Sequence, residues 1–128
     1  MIIGIGIDVI EISRIREMEE RWGARFIERV FTEDEIAYCS AKSNRAESYA
    51  VRFAAKEAFA KALGTGWDGN FQWKDFSTRT ISGGKPVALL SIAKQHRLLN
   101  TRIHLSLSHS DHFATAVVIL EDVKQHDG

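Results

Sequence analysis

Hydrophobic and polar positions along the first dozen residues alternate with a period of two, the side-chain period of a β-strand. In "IIGIGIDVIEI", residues 2–12, Ile3, Ile5, Ile7 and Val9 share one face, while Gly4, Gly6, Asp8 and Ile10 share the other. The β-branched residues favour a strand, and the glycines mark places where the backbone bends or another group comes close. A run of this composition is expected to be buried on at least one face. Asp8 is then the anomaly, because a carboxylate there needs an ion pair, hydrogen bonds or a metal. It sits on the face the glycines leave open.

Beyond this strand the period lengthens to that of helices. Ser13 is the expected N-cap of a helix running to about Arg21 and closed by Gly23, and a short helix follows over 25–30. Thr32, with Glu35 three residues on, forms a capping box that opens a third helix. The strongest helical signal is "RAESYAVRFAAKEAFAKAL", residues 45–63, rich in alanine and straight-chain residues and followed by Gly64. Tyr49, Phe53 and Leu63 mark its apolar contacts, while Arg52, Lys56, Glu57 and Lys61 fall on or beside a neighbouring stripe. The loop "GTGWDGNFQW" carries Trp67 and Trp73. Then "KDFSTRTI", "SGGK" and "PVALLS" read as strand, tight turn and return strand. A helix over 92–99 leads to two last β runs, "TRIHLSLSHS" and "FATAVVILE". The pattern predicts a single α+β domain over residues 1–128, with a mainly antiparallel sheet packed against the long helix.

Composition narrows the function classes. Hydrophobic residues make up 45% and charged residues 27% of 128, the balance of an ordinary globular domain with a real core. Seventeen basic and seventeen acidic residues cancel, so no global charge argues for nucleic acid or a membrane surface. No apolar stretch approaches the roughly 20 residues that span a bilayer. Cys39 is alone, which excludes an intrachain disulfide, and the expected location is cytoplasmic. Arginines do gather locally, at Arg14, Arg16, Arg21, Arg25 and Arg29. Glu17, Glu19, Glu20 and Glu28 are interleaved with them, so charge pattern alone reads this as a solvated helix laced with ion pairs.

Glu57 and Lys61 lie four apart on the long helix and project from one face. By itself that is a surface ion pair worth about 0.3–0.5 kcal/mol. If Glu57 instead joins Asp8, the two carboxylates make an oxygen-ligand site suited to Mg²⁺, which retains waters and takes substrate phosphates as further ligands. Lys61 beside them would neutralise phosphate oxygens. The glycine loops are explained by turn chemistry, and neither matches a phosphate-binding fingerprint. In "LSLSHS", Ser108 and His109 point to opposite strand faces, which argues against a serine triad. His109 remains a candidate phosphate or substrate contact, and His104 and His112 read as surface or turn residues.

Taken together, in order and spacing, "GIGIDVIEI", "FTEDEIAYC", "RFAAKEAFAKALGTG", "GKP" and "SLSHS" resemble the holo-[acyl-carrier-protein] synthases, which are phosphopantetheinyl transferases. The resemblance covers almost the whole chain. It implies transfer of 4′-phosphopantetheine from coenzyme A to a serine of apo acyl carrier protein, releasing adenosine 3′,5′-bisphosphate, in support of fatty acid biosynthesis. It implies Mg²⁺ held by Asp8 and Glu57, with Lys61 close to the phosphates, and Glu57 or a metal-bound water as the base. It places Arg52, Gly84, Lys85, Pro86 and His109 along the coenzyme A cleft, and implies a homotrimer with active sites between subunits. The acidic carrier gives the arginine cluster a purpose, with Arg14, Arg21, Arg25 and Phe26 as its docking surface. Two features depart from the common pattern: Ser110 stands where threonine is frequent, and tryptophans occupy 67 and 73. A non-catalytic trimeric module binding a nucleotide or acidic protein, and a metal-dependent phosphodiester hydrolase, are the competing readings.

Overall fold

The computed structural model describes residues 1–66 and 69–124, so the Trp67 position lies outside the described residues. Strand β1 (Ile2–Glu11) leads into helices α1 (Ile12–Trp22), α2 (Ala24–Val30), α3 (Glu33–Ser40) and α4 (Arg45–Leu63). A 3₁₀ turn (Trp73–Asp75) precedes β2 (Phe76–Thr80) and β3 (Pro86–Leu90), and a second 3₁₀ segment (Ile92–Leu98) precedes β4 (Thr101–His109) and β5 (Phe113–Asp122). The strands form two antiparallel sheets rather than one: a three-stranded sheet in the order β1-β5-β4 and the β2-β3 hairpin. The expected helix over 92–99 is a 3₁₀ segment. The cap of α1 also differs, since Glu11 holds the N-cap position and Ser13 lies inside the helix.

The α4 helix runs from Arg45 to Leu63, capped by Asn44, whose side chain accepts from Glu47 N–H, and ended by Gly64 in the left-handed conformation (φ 81°). Its alanines bring it against the sheet. A Cβ added to Gly4 would stand 2.1 Å from the Ala62 carbonyl oxygen, and one added to Gly6 would stand 1.8 Å from that of Ala58. The glycine face of β1 is therefore not open; α4 lies directly on it, backbone to backbone. Gly6→Ala is expected to force strand and helix apart and cost about 2–3 kcal/mol, the upper part of the range for overpacking, read as a lowered urea midpoint.

This contact decides which face of β1 is buried. Ile3, Ile5, Ile7 and Val9 face outward, 53–63% exposed, on the far side of the sheet from α4. The core lies between the sheet and the helices, built from Tyr49, Phe59, Phe31, Phe76, Ile12, Ile15 and the alanines of α4, together with Ala114, Ala116, Val118 and Leu120 of β5. Cys39 is fully buried and accepts a hydrogen bond from Ser48 Oγ at 3.2 Å. Burial pushes its thiol pKa up, so it behaves as a small apolar residue.

At the centre of the helical layer stands an ion pair that the sequence pattern did not separate from the surface charges. Lys56 is fully buried, and its Nζ lies 2.9 Å from Glu35 Oε1. Nζ also donates to the carbonyl oxygens of Trp73, at 2.8 Å, and Phe76. Glu35 Oε1 accepts from Thr32 N–H at 3.0 Å, as the capping box requires, and its Oε2 accepts from Thr78 N–H at 3.1 Å. Burial pushes the Lys56 pKa down, and the facing carboxylate opposes that shift. One residue pair thus ties α3, α4, the Trp73–Asp75 turn and β2 together.

Candidate active site

Asp8 lies in the second half of β1, opposite Ala116 of β5, and its carbonyl oxygen accepts from Thr115 Oγ1 at 2.8 Å. The side chain, 17% exposed, emerges on the α4 side just past the glycines. There its Oδ1 meets Lys61 Nζ at 3.0 Å, while Nζ also donates to the Ile7 carbonyl at 2.9 Å. Glu57, one helical turn before Lys61, lines the same cleft as Asp8, a hollow of about 260 Å³ closed by Val9, Ile10, Arg14, Met18 and Phe53. Residues 49 positions apart thus converge because β1 and α4 touch without intervening side chains. Two carboxylates with an ammonium and a guanidinium at the rim form a hard oxygen donor set beside cations, the chemistry of a site for a small divalent cation and phosphate. No larger cluster of His, Cys, Asp and Glu occurs among the described residues, so water and substrate oxygens would have to complete a coordination sphere here.

A second hollow, of about 310 Å³, opens between α3, α4 and the end of β4, and it brings Arg52 and His109 together. Arg52 is 4% exposed; it donates to Ser48 and, at 3.0 Å, to Thr80 Oγ1, and its Cζ stacks over the Tyr38 ring at 4.3 Å. Its Nε has no partner, and no carboxylate pairs with it among the described residues. A buried guanidinium without a counter-charge is costly unless an anion arrives to meet it. Tyr38 carries Lys42 Nζ over its ring as well, at 4.5 Å. A hydrogen bond with the Thr80 side chain, aided by Lys42, draws the Tyr38 pKa below the usual tyrosine range. Across the opening His109 Nε2 lies 3.3 Å from Glu47 Oε1.

Tyr38 and Lys42 are site residues that the sequence reading did not single out. Their four-residue spacing at the end of α3 was the available signal. Gly84 and Lys85 lie in the β2–β3 turn, Gly84 at φ 83°, and Pro86 opens β3 opposite Thr80. They adjoin Arg52 through Thr80 but do not line either hollow. Arg14 sits on the rim of the Asp8–Glu57 cleft, and Arg21 and Arg25 are exposed on α1 and α2. Phe26 is 7% exposed and packs on Phe31 and Phe53, so its ring belongs to the core. His104, on the exposed sheet face, pairs with Glu121 at 2.9 Å. Lys56, grouped by sequence with Glu57 and Lys61, turns inward and takes no place in the cleft.

Residues 4–118 match the model of the 4′-phosphopantetheinyl transferase superfamily, and the chain belongs to that family. Its relatives within the superfamily are holo-[acyl-carrier-protein] synthases. That of Koribacter versatilis is 45% identical over 125 residues, spanning 95% of this chain and 100% of the relative. The crystal structure of the Bacillus anthracis enzyme, in complex with CoA (3′,5′-ADP), superposes with a TM-score of 0.81 at 41% identity, covering 95% and 98% of the two chains. The Helicobacter pylori enzyme in complex with coenzyme A gives 0.82 at 34% identity, covering 91% and 99%. The antiparallel α+β architecture of this chain is the architecture of those enzymes.

Proposed function

We propose that this protein transfers 4′-phosphopantetheine from coenzyme A to a serine hydroxyl of apo acyl carrier protein, in the cytoplasm and in support of fatty acid biosynthesis. The observation that carries the reading is the convergence of Glu57 and Asp8, the latter paired with Lys61, on one cleft, together with a buried Arg52 that pairs with no carboxylate among the described residues. In this reading Arg52, His109 and Lys42 receive the phosphorylated nucleotide end of coenzyme A, with the "GKP" turn alongside. The pyrophosphate lies over Asp8, Glu57 and Lys61. The residues present fit Mg²⁺, and Asp8 and Glu57 would hold it. When bound it supplies charge neutralisation at the scissile pyrophosphate.

The chain's own part is positional and electrostatic. Lys61, held by Asp8 and the Ile7 carbonyl, presents an ammonium to the leaving phosphate oxygens as the P–O bond breaks. Glu57 lies on the same wall and can take the proton of the incoming serine as its oxygen attacks phosphorus. Arg14 at the rim, with Arg21 and Arg25, steers the acidic carrier. The nucleophile belongs to the carrier; among the described residues no serine or cysteine lines the cleft. Incubation with coenzyme A, Mg²⁺ and apo carrier should add one phosphopantetheine mass to the carrier. An unchanged carrier, with coenzyme A hydrolysed instead, would favour the phosphodiesterase reading.

The outward face of β1 supports self-association into a homotrimer. Four aliphatic side chains more than half exposed on one strand are an apolar patch of the kind that marks a protein interface. Replacing Ile5 and Ile7 together by Glu is expected to give a monomer by light scattering. Turnover should fall with it, because the proposed active sites need a neighbouring subunit. A trimer that survives this change would remove the sheet face from the interface.

A further inference from the structure

We infer that the 3₁₀ segment Ile92–Leu98, with Leu99 and the hollow beside it, is a shallow anchor that lays this protein on a bilayer surface rich in anionic phospholipid. Between Phe76 and Ser110 the chain carries Arg79, Lys85, Lys94, Arg97 and Arg102 and none of its seventeen acidic residues. On α1, by contrast, cations and carboxylates are interleaved. A molecule neutral as a whole thus concentrates one sign of charge in its β2–β4 portion, the local field an anionic surface would meet.

The 3₁₀ geometry sorts the side chains. Residues three apart eclipse in such a segment, so Ile92 stands in one row with Gln95 and Leu98, and Lys94 in the next with Arg97. Gln95, Leu98 and Leu99 line a hollow of about 390 Å³ together with Leu89 and Leu90 of β3 and Ile103 of β4. Ile92 is 89% exposed and Leu99 77%, more than any other isoleucine or leucine among the described residues. Lys94 and Arg97 form no ion pair among the described residues. A small amphiphile would fill the hollow and leave Ile92 in water, and an acidic protein would answer the cations alone. A bilayer interface answers both: headgroup phosphates meet Lys94 and Arg97 while Ile92 and Leu99 enter the acyl boundary. No helix among the described residues is long and apolar enough to cross a membrane, so the contact is peripheral. The aliphatic face of β1 lacks the electrostatic half of such a site, since β1 has no Lys or Arg.

Vesicle co-sedimentation of the full chain tests this, with phosphatidylcholine alone and with phosphatidylcholine mixed with phosphatidylglycerol. The wild-type protein should partition about tenfold or more strongly onto the anionic vesicles, and added salt should release it. Ile92→Ser/Leu99→Ser should lower that partition about tenfold or more. Lys94→Gln/Arg97→Gln should lower it similarly on anionic vesicles and leave little salt dependence. In vesicle-free transfer assays both double variants should keep kcat and both KM values within about twofold. The inference is overturned if the wild-type protein ignores anionic vesicles, binds neutral ones equally well, or stays bound after either double substitution. A raised carrier KM in these variants, without vesicle binding by the wild type, overturns it too and makes an acidic protein the occupant. The vesicle assay needs neither coenzyme A nor carrier, so its outcome is separate from that of the transfer reading.

Discussion

Asp8→Asn and Glu57→Gln should each lower phosphopantetheine transfer by roughly 10²–10³-fold, the usual loss when one member of an electrostatic set is removed. The melting temperature should hardly move. Asp8 is 17% exposed and its partner Lys61 is 54% exposed, so losing the pair leaves a lysine that water can solvate. Glu57 is half-buried at the cleft wall, and its amide analogue keeps the volume. Both variants remove one carboxylate donor and one negative charge from a site that holds two. Calorimetry with Mg²⁺ and coenzyme A should show weakened binding in parallel with turnover. A variant that keeps wild-type turnover would show that its carboxylate neither holds the cation nor takes the serine proton.

The largest stability effect should come from Glu35→Ala, about 3–5 kcal/mol. The substitution strands the Lys56 ammonium in a fully buried position and takes the acceptor from Thr78 N–H. Replacing the pair together, as Glu35→Leu/Lys56→Met, often rescues a buried ion pair elsewhere, but little recovery is expected here. The Thr78 N–H would remain without an acceptor and the Trp73 carbonyl without its donor, at about 1–3 kcal/mol for each buried group. Urea unfolding of the two variants distinguishes the outcomes. Recovery of wild-type stability in the double variant would show that the pair is a dispensable alternative to hydrocarbon.

Local signals in the chain were legible wherever they were strong enough to act alone. Alanine content and Gly64 marked α4 to the residue, and the Thr32–Glu35 capping box appeared as expected. The alternation in β1 located the strand and paired Asp8 with the glycine face. It did not tell which face is buried, because that depends on α4 lying across two glycines. The aliphatic face, which hydrophobicity alone would turn inward, is left outside. Glu35 was legible as a cap and Lys56 as a helix charge, but their union spans 21 residues and needs the tertiary packing. Arg52 was legible as a cation, and its isolation from every described carboxylate was not. The pairing of Asp8 with Glu57 was a conditional until the resemblance to a family favoured it, since Asp8 alone reads as a strand carboxylate in need of a partner and Glu57 as half of a surface ion pair.

The contact of Gly4 and Gly6 with the α4 carbonyls also bears on which ions the cleft can accept. Side chains between a strand and a helix act as a compressible layer that lets the two drift by tenths of an ångström. Here that layer is missing, so the two carboxylates ride on frames in direct backbone contact. Oxygen ligands sit at about 2.0–2.1 Å from Mg²⁺ and about 2.3–2.6 Å from Ca²⁺. A frame that cannot widen discriminates by ionic radius as well as by charge. In the proposed Mg²⁺ reading, the two glycines would set the gauge of the site although neither lines the cleft.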